Sequence, residues 1–89
     1  MKISVYITSF NKEKYLEKSI VSVLNQSLKP YDLVIIDDFS SDNSREIITA
    51  FKNSYPDFIK TVFNEQNYGV ARSRNQAISM CEGEIITYL

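Results

Sequence analysis

Leu33-Val34-Ile35-Ile36-Asp37-Asp38-Phe39-Ser40-Ser41-Asp42 decides how the rest of the chain is read. A run of branched aliphatic residues with no polar member has no face to offer to water, which suits a strand covered on both sides. Two acids end it, and a polar turn rich in helix-capping residue types follows. Strand, polar turn and helix in that order are the opening of a parallel α/β unit.

The pattern repeats on either side. Upstream, Ile3-Ser4-Val5-Tyr6-Ile7-Thr8 alternates with period two and predicts a strand. Asn11 stands where a helix cap is needed, and Leu16, Ile20, Val23 and Leu24 then fall on one helical face until Lys29-Pro30. Downstream, Asn43 and Glu46 have capping-box spacing ahead of the stripe Ile47, Ile48 and Phe51, and Tyr55-Pro56-Asp57 breaks that helix. Phe58 to Phe63 predicts a third strand, Asn64 to Gly69 a loop, Val70 to Cys81 a third helix closed by Glu82-Gly83, and Glu84 to Leu89 a fourth strand. The order β-α-β-α-β-α-β, with connections long enough to hold helices, predicts a doubly wound, mostly parallel sheet in a single domain over residues 1–89. The sequence stops inside an apolar strand with no turn after it. The expectation is therefore the N-terminal part of a larger domain, truncated after its fourth strand.

Composition removes several classes of function. The 89 residues carry a net charge of −1, which gives no electrostatic footprint for nucleic acid. With no histidine and a single cysteine, Cys81, neither a disulfide nor a nitrogen–sulfur zinc site can be assembled, and no serine has a histidine base. The N-terminus reads as neither a signal peptide nor a spanning helix, so a cytoplasmic protein without a membrane segment of its own is expected, any membrane association coming from parts outside this sequence. Glycine-rich phosphate cradles are absent, since Gly69 and Gly83 are the only glycines. Cys81 reads as an inert thiol on the apolar face of its helix.

Ligands of an open parallel sheet bind outside the carboxyl ends of its strands. Those ends are Thr8-Ser9-Phe10-Asn11, Asp37-Asp38-Phe39-Ser40 and Asn64-Glu65-Gln66-Asn67. Asp37 and Asp38 are neighbours on a strand, so they point to opposite faces and cannot share a proton as a dyad. One serves the turn or the next helix; the other either faces the cleft, where it can accept an N–H or hydroxyl, or caps the turn as well. In the third helix, Val70, Ala77, Ile78 and Cys81 outline an apolar face with Arg74 near its centre, while Arg72 points to solvent. A guanidinium in that position needs an acceptor, either Asp37 or Asp38 or a ligand phosphate. Tyr6 and Tyr88, in strands, are core residues by default.

These segments, with Asn67-Tyr68-Gly69, Arg74-Asn75 and Glu82-Gly83-Glu84-Ile85-Ile86, are collinear over essentially the whole chain with the start of family 2 glycosyltransferases, which the sequence resembles. The resemblance implies a GT-A fold, a Rossmann-like sheet that binds a nucleotide-sugar donor, most simply a UDP-sugar. It implies that Thr8 lies beside the nucleobase, that Asp38 hydrogen-bonds a uracil-type ring, and that Arg74 lies near the donor cleft; Ser9 and Asp37 complete the set of candidate donor-binding residues. Where many members carry a proline and a tyrosine, this sequence has Thr8-Ser9-Phe10-Asn11. The family's D-x-D metal motif would fall after Leu89, so Mn2+ or Mg2+ is expected only in the full-length enzyme, and a fragment of 89 residues is expected to be inactive. A glycan or lipid-linked acceptor would complete the reaction.

Two other readings compete. A signalling receiver domain is also doubly wound, but its acid pair should follow the first strand and not the second. A non-catalytic nucleotide-binding or structural module describes the 89 residues as they stand. The apolar surface and strand edge of a truncated sheet also predict self-association.

Overall fold

A computed structural model describes residues 2–88. Its elements follow the predicted order: β1 (Ile3–Ser9), α1 (Glu13–Leu24), β2 (Asp32–Asp37), α2 (Ser44–Ser54), β3 (Ile59–Phe63), α3 (Val70–Met80) and β4 (Ile85–Tyr88). All three strand pairings are parallel, in the spatial order β3-β2-β1-β4. Residues 33–36 of β2 are fully buried at the centre of this α/β sheet, as their uninterrupted branched run requires.

Strand parity sorts the two cores. Val5 and Ile7 of β1, Leu33 and Ile35 of β2 and Ile59 of β3 pack with Leu16, Ile20, Val23 and Ile48 of α1 and α2. Tyr6, Val34 and Ile36 face the other way and meet Ala77 of α3. Burying one aliphatic side chain of this size contributes roughly 1.5–3 kcal/mol, so the larger, two-helix core dominates the fold's stability.

Four local expectations differ from the structure. The first helix ends at Leu24, not at Lys29-Pro30, and a loop runs from Asn25 to Tyr31. Asn11 does not cap α1; it adopts a left-handed backbone (φ 52°), and its side chain reaches the next turn instead. Asn43 makes no side-chain cap on α2, because Asp42 accepts the Ser44 N–H at 2.9 Å in its place. Tyr88, expected in the core, is half exposed, its ring tilted against that of Tyr6 with 5.0 Å between centroids.

The amino ends of the strands are clamped by a buried acid. Asp32, 1% exposed, accepts hydrogen bonds from the Ser4 hydroxyl, from Lys60 Nζ at 2.9 Å and from the Glu82 N–H at 3.2 Å. Lys60 also pairs with Glu82 at 2.8 Å, and Ser4 Oγ accepts the Gly83 N–H at 2.7 Å. The backbone at Gly83 passes so near β1 that a Cβ there would lie 2.6 Å from Ser4 N. This knot ties the α3–β4 connection to β1, β2 and β3 together. Burial pushes the Asp32 carboxyl up, but the Ser4, Lys60 and Glu82 hydrogen bonds outweigh it and hold the group below its ordinary value of 3.8.

Replacing Asp32 leaves Lys60 and Ser4 without their acceptor, so Asp32→Ala is expected to cost about 3 kcal/mol in urea denaturation. Because the folded carboxyl titrates lower than the unfolded one, its contribution is complete above the ordinary value of 3.8 and is lost as pH falls through the lower folded value. Denaturation series between pH 7 and pH 3 should show a smaller acid loss in Asp32→Ala than in the parent; equal slopes would contradict the clamp.

Candidate functional site

The strand order creates a switch point. The β1–α1–β2 and β2–α2–β3 units extend the sheet in one direction, whereas β4 returns to the other side of β1, so a crevice opens outside the carboxyl ends of β1 and β4. A cleft of about 340 Å³ occupies this place, lined by Tyr6, Thr8, Val70, Arg74 and Tyr88.

The acid pair divides as strand geometry requires. Asp37 faces α2, fully buried; its Oδ2 accepts the Ser40 N–H at 3.0 Å and Arg45 Nε at 3.3 Å. Arg45 also donates to the Asn64 carbonyl at 2.7 Å and sits over the Phe63 ring. Asp38 faces α3. Its Oδ1 accepts from the Asn64 amide at 3.0 Å and the Tyr68 N–H at 2.9 Å, and its Oδ2 accepts the Gly69 N–H at 2.8 Å. Asn64 and Gln76 exchange a reciprocal pair of side-chain hydrogen bonds, both at 3.0 Å. Burial pushes the Asp38 carboxyl up, and the Tyr68, Asn64 and Gly69 donors more than reverse this, keeping it below the ordinary carboxylate range. Asp38 therefore shapes the β3–α3 loop and delivers the start of α3 to the cleft.

A second brace joins the first two turns. Asn11 Oδ1 accepts the Ser41 N–H at 2.8 Å, the Asn11 N–H donates to Ser40 Oγ at 2.9 Å, and Asp42 Oδ2 accepts the Glu13 N–H at 3.1 Å. Each loop thus caps the other. Phe39, between them, holds a left-handed backbone at φ 70° that an L-residue adopts only at a cost. Burial raises the Asp42 carboxyl, and hydrogen bonds from Ser44 and Glu13 bring it below its ordinary value.

Arg74 is placed differently from the expectation. It is exposed, and the buried face of α3 is formed by Ser73 and Ala77. Small side chains let the helix approach the sheet closely, while Val70 and Ile78, which defined the expected apolar face, are 66% and 39% exposed on its flanks. Neither Asp37 nor Asp38 pairs with Arg74; it lines the cleft beside Thr8. Ser9 is buried on the α1–α2 face, where its hydroxyl and Asp37 Oδ1 have no hydrogen-bond partner among the described residues. The structure therefore gathers Thr8 and Arg74 around one cleft with Asp38 behind the loop that shapes it, and sets Ser9 and Asp37 on the opposite side of the sheet.

Arg45, the ion-pair partner of Asp37, escaped the sequence reading. Its signal was an arginine one turn into a helix that follows a strand-end acid. Arg72, expected in solvent, is exposed and stacks over the Tyr68 ring at 4.0 Å. α3 has no acid in its own first turn; the Asp38 carboxylate, which accepts the N–H of its cap residue Gly69, faces the positive end of its dipole. The cleft suits an anion with an attached planar or apolar group. It does not suit a divalent metal: no group of three or more candidate ligands occurs among the described residues, and both strand-end acids are already engaged.

The family model described as Glycosyl transferase family 2 matches residues 4–89. An uncharacterized glycosyltransferase of Nostoc, alr2836, is 40% identical over 89 residues, which is all of this chain and 27% of the relative. The crystal structure of S. aureus TarS 1-349 superposes with a TM-score of 0.86 at 30% identity, over the whole of this chain and 27% of TarS; TarS structures with UDP and with UDP-GlcNAc match equally well. The mannosyltransferase PcManGT of Pyrobaculum calidifontis, in complex with GDP-Man and Mn2+, shares the fold at a TM-score of 0.84 and 21% identity, over 96% of this chain and 26% of PcManGT. The chain spans about a quarter to a third of the curated relatives it matches.

Asp38→Ala removes the acceptor of two backbone N–H groups and one amide, at an expected cost of about 2–3 kcal/mol. Hydrogen exchange at the Tyr68 and Gly69 amides should quicken far more than at Ile35 or Ile36; uniform quickening would mean that Asp38 stabilises the fold without shaping the loop.

Proposed function

Since the chain belongs to glycosyl transferase family 2, we propose that its strand-end cleft receives the nucleoside diphosphate of a sugar donor, a UDP-sugar. The full protein then transfers the sugar to an acceptor hydroxyl on a glycan or lipid-linked molecule. The observation that supports this best is the exposed Arg74, which lines the cleft beside Thr8 and has no ion-pair partner among the described residues. An exposed guanidinium without an internal partner is suited to meet phosphate.

Thr8, at the floor of the cleft, lies beside the nucleobase; the Asp38 carboxylate, held ionised, accepts a ring N–H of a uracil-type base through lone pairs left over from its loop contacts. Asp37 and Ser9 support the rim from beneath, Asp37 by fixing the turn through Ser40 and Arg45. In transfer, the acceptor hydroxyl gives up its proton to a general base, its oxygen bonds to the anomeric carbon, and that carbon's bond to the diphosphate oxygen breaks. Negative charge grows on the diphosphate, where Arg74 opposes it. A divalent metal, as in the GDP-Man complex of PcManGT, would supply further charge neutralisation, but the described residues hold no set of ligands for it. That same lack favours a second reading for the 89 residues taken alone, a nucleotide-binding module without catalysis of its own.

An amide NMR titration with UDP, ADP and GDP separates these from a purely structural sheet. UDP is expected to shift Thr8, Tyr68, Gly69 and Arg74, and Arg74→Ala to weaken UDP about tenfold, the loss of one charge-assisted contact. Equal responses to all three nucleotides, or an unchanged UDP affinity in Arg74→Ala, would overturn the donor assignment.

A further inference from the structure

A carboxylate has about four acceptor positions, two on each oxygen. Three of those on Asp38 are taken. Oδ1 is full, with the Asn64 amide at 3.0 Å and the Tyr68 N–H at 2.9 Å, while Oδ2 accepts only the Gly69 N–H at 2.8 Å. Beside it lies the Ser73 hydroxyl, fully buried on α3 and without a well-formed hydrogen bond among the described residues. Burial pushes the Asp38 carboxyl up, and this hydroxyl stands with the Tyr68, Asn64 and Gly69 donors that bring it down. A hydroxyl turns freely, so it can face Oδ2 or yield that position to the N–H of a ligand.

The three donors already in place are not equivalent. Tyr68 and Gly69 belong to the loop that the carboxylate itself shapes, so they follow its position and do not fix it. Asn64 is tied to the sheet: its N–H donates to the Asp37 carbonyl at 2.8 Å, and its own carbonyl accepts from Arg45 at 2.7 Å. An ionised carboxylate can only accept, so the Asn64 amide has to turn its NH2 toward Asp38 and its oxygen the other way. Gln76 of α3 holds it in that sense through the reciprocal pair of hydrogen bonds, both at 3.0 Å.

We infer that Asn64, locked by Gln76, is a positioning residue for the nucleobase: it fixes Asp38 so that Oδ2 alone offers an acceptor, which selects a base with one ring N–H, of the uracil type, over guanine. Guanine presents two parallel N–H groups and needs an acceptor on each oxygen, and Oδ1 has none left. This role rests on the donor-binding function proposed for the cleft.

Two nucleotides separate the ring N–H from the diphosphate: UDP and 3-methyluridine diphosphate, in which a methyl group replaces the ring hydrogen. Their dissociation constants, from amide titrations, give one ratio for each protein. The parent is expected to prefer UDP by about tenfold or more. Asn64→Ala should reduce that preference to about threefold or less, and Gln76→Leu, which removes the lock and leaves Asn64 in place, should reduce it partway. Arg74→Ala should weaken both nucleotides alike and keep the ratio. If Asn64→Ala does not fold, as the Ile35 and Ile36 amides report, Gln76→Leu carries the comparison. Equal weakening of both nucleotides in the Asn64 and Gln76 variants would show a structural role only and overturn the inference. A parent that binds both nucleotides equally, with Arg74→Ala still weakening them, would overturn it and leave the diphosphate reading standing. No response to UDP at all would remove the donor reading, and this role with it.

Discussion

The double burial of β2 is the constraint from which the rest of this structure follows. A strand with no exposed face from Leu33 to Ile36 must have neighbours on both edges and helices on both sides. It also fixes, by parity alone, where every polar residue at its ends must point. Asp37 shares the face of Leu33 and Ile35 and finds Arg45; Asp38 shares the face of Val34 and Ile36 and finds Asn64 and the start of α3; Asp32, at the other end, shares that face and finds Lys60. Three buried acids on one strand would be ruinous if any were unpaired, since an uncompensated buried charge costs several kcal/mol. Each is met from a different element, so the same strand that dictates the core also stitches the helices to it.

The two ends of the sheet use this chemistry for different purposes. At the amino ends, Asp32, Ser4, Lys60 and Glu82 form a closed knot, and Gly83 is required because nothing larger fits against Ser4. At the carboxyl ends, the acids organise loops: Asp38 aims the start of α3 and Asp37 fixes the turn before α2. The strained backbone at Phe39 lies at this end, where a mutual brace of Asn11 and Asp42 holds both turns in place. Stability and recognition are thus separated along the strands, as the direction of a parallel sheet encourages.

How much of this was legible in the sequence depends on the range of the interaction involved. Periodicity is local, and it placed all seven elements, the parallel order and the opposed acids correctly. Family resemblance located the fold's relatives. Capping was misread because Asn11 and Asp42 cap across two loops, thirty residues apart in sequence, while capping-box rules look only three residues ahead. Arg74 was turned inward because a helical wheel weighs hydrophobicity and ignores approach distance; Ser73 and Ala77 face the sheet because they are small. Tyr88 was counted as core because it lies in a strand, but among the described residues β4 has a neighbour on one side only.

The misplacement of Arg74 bears on function more than the correct placements do. An inward arginine would have needed Asp37 or Asp38 as its partner, and such a pair would neutralise the one cation that lines the cleft. The structure instead gives Asp37 Oδ2 to Arg45 and Asp38 to backbone N–H groups, so neither carboxylate takes Arg74 as its partner. Arg74 has no ion-pair partner among the described residues and stands in a wall shared with Thr8. A fold that meets the strand-end acids from other elements and leaves this arginine exposed keeps a cation in the cleft wall, which is what the proposed diphosphate site needs. Folding alone does not require that arrangement, and it is for this reason that the cleft, more than the acid pair that first drew the eye, carries the functional reading.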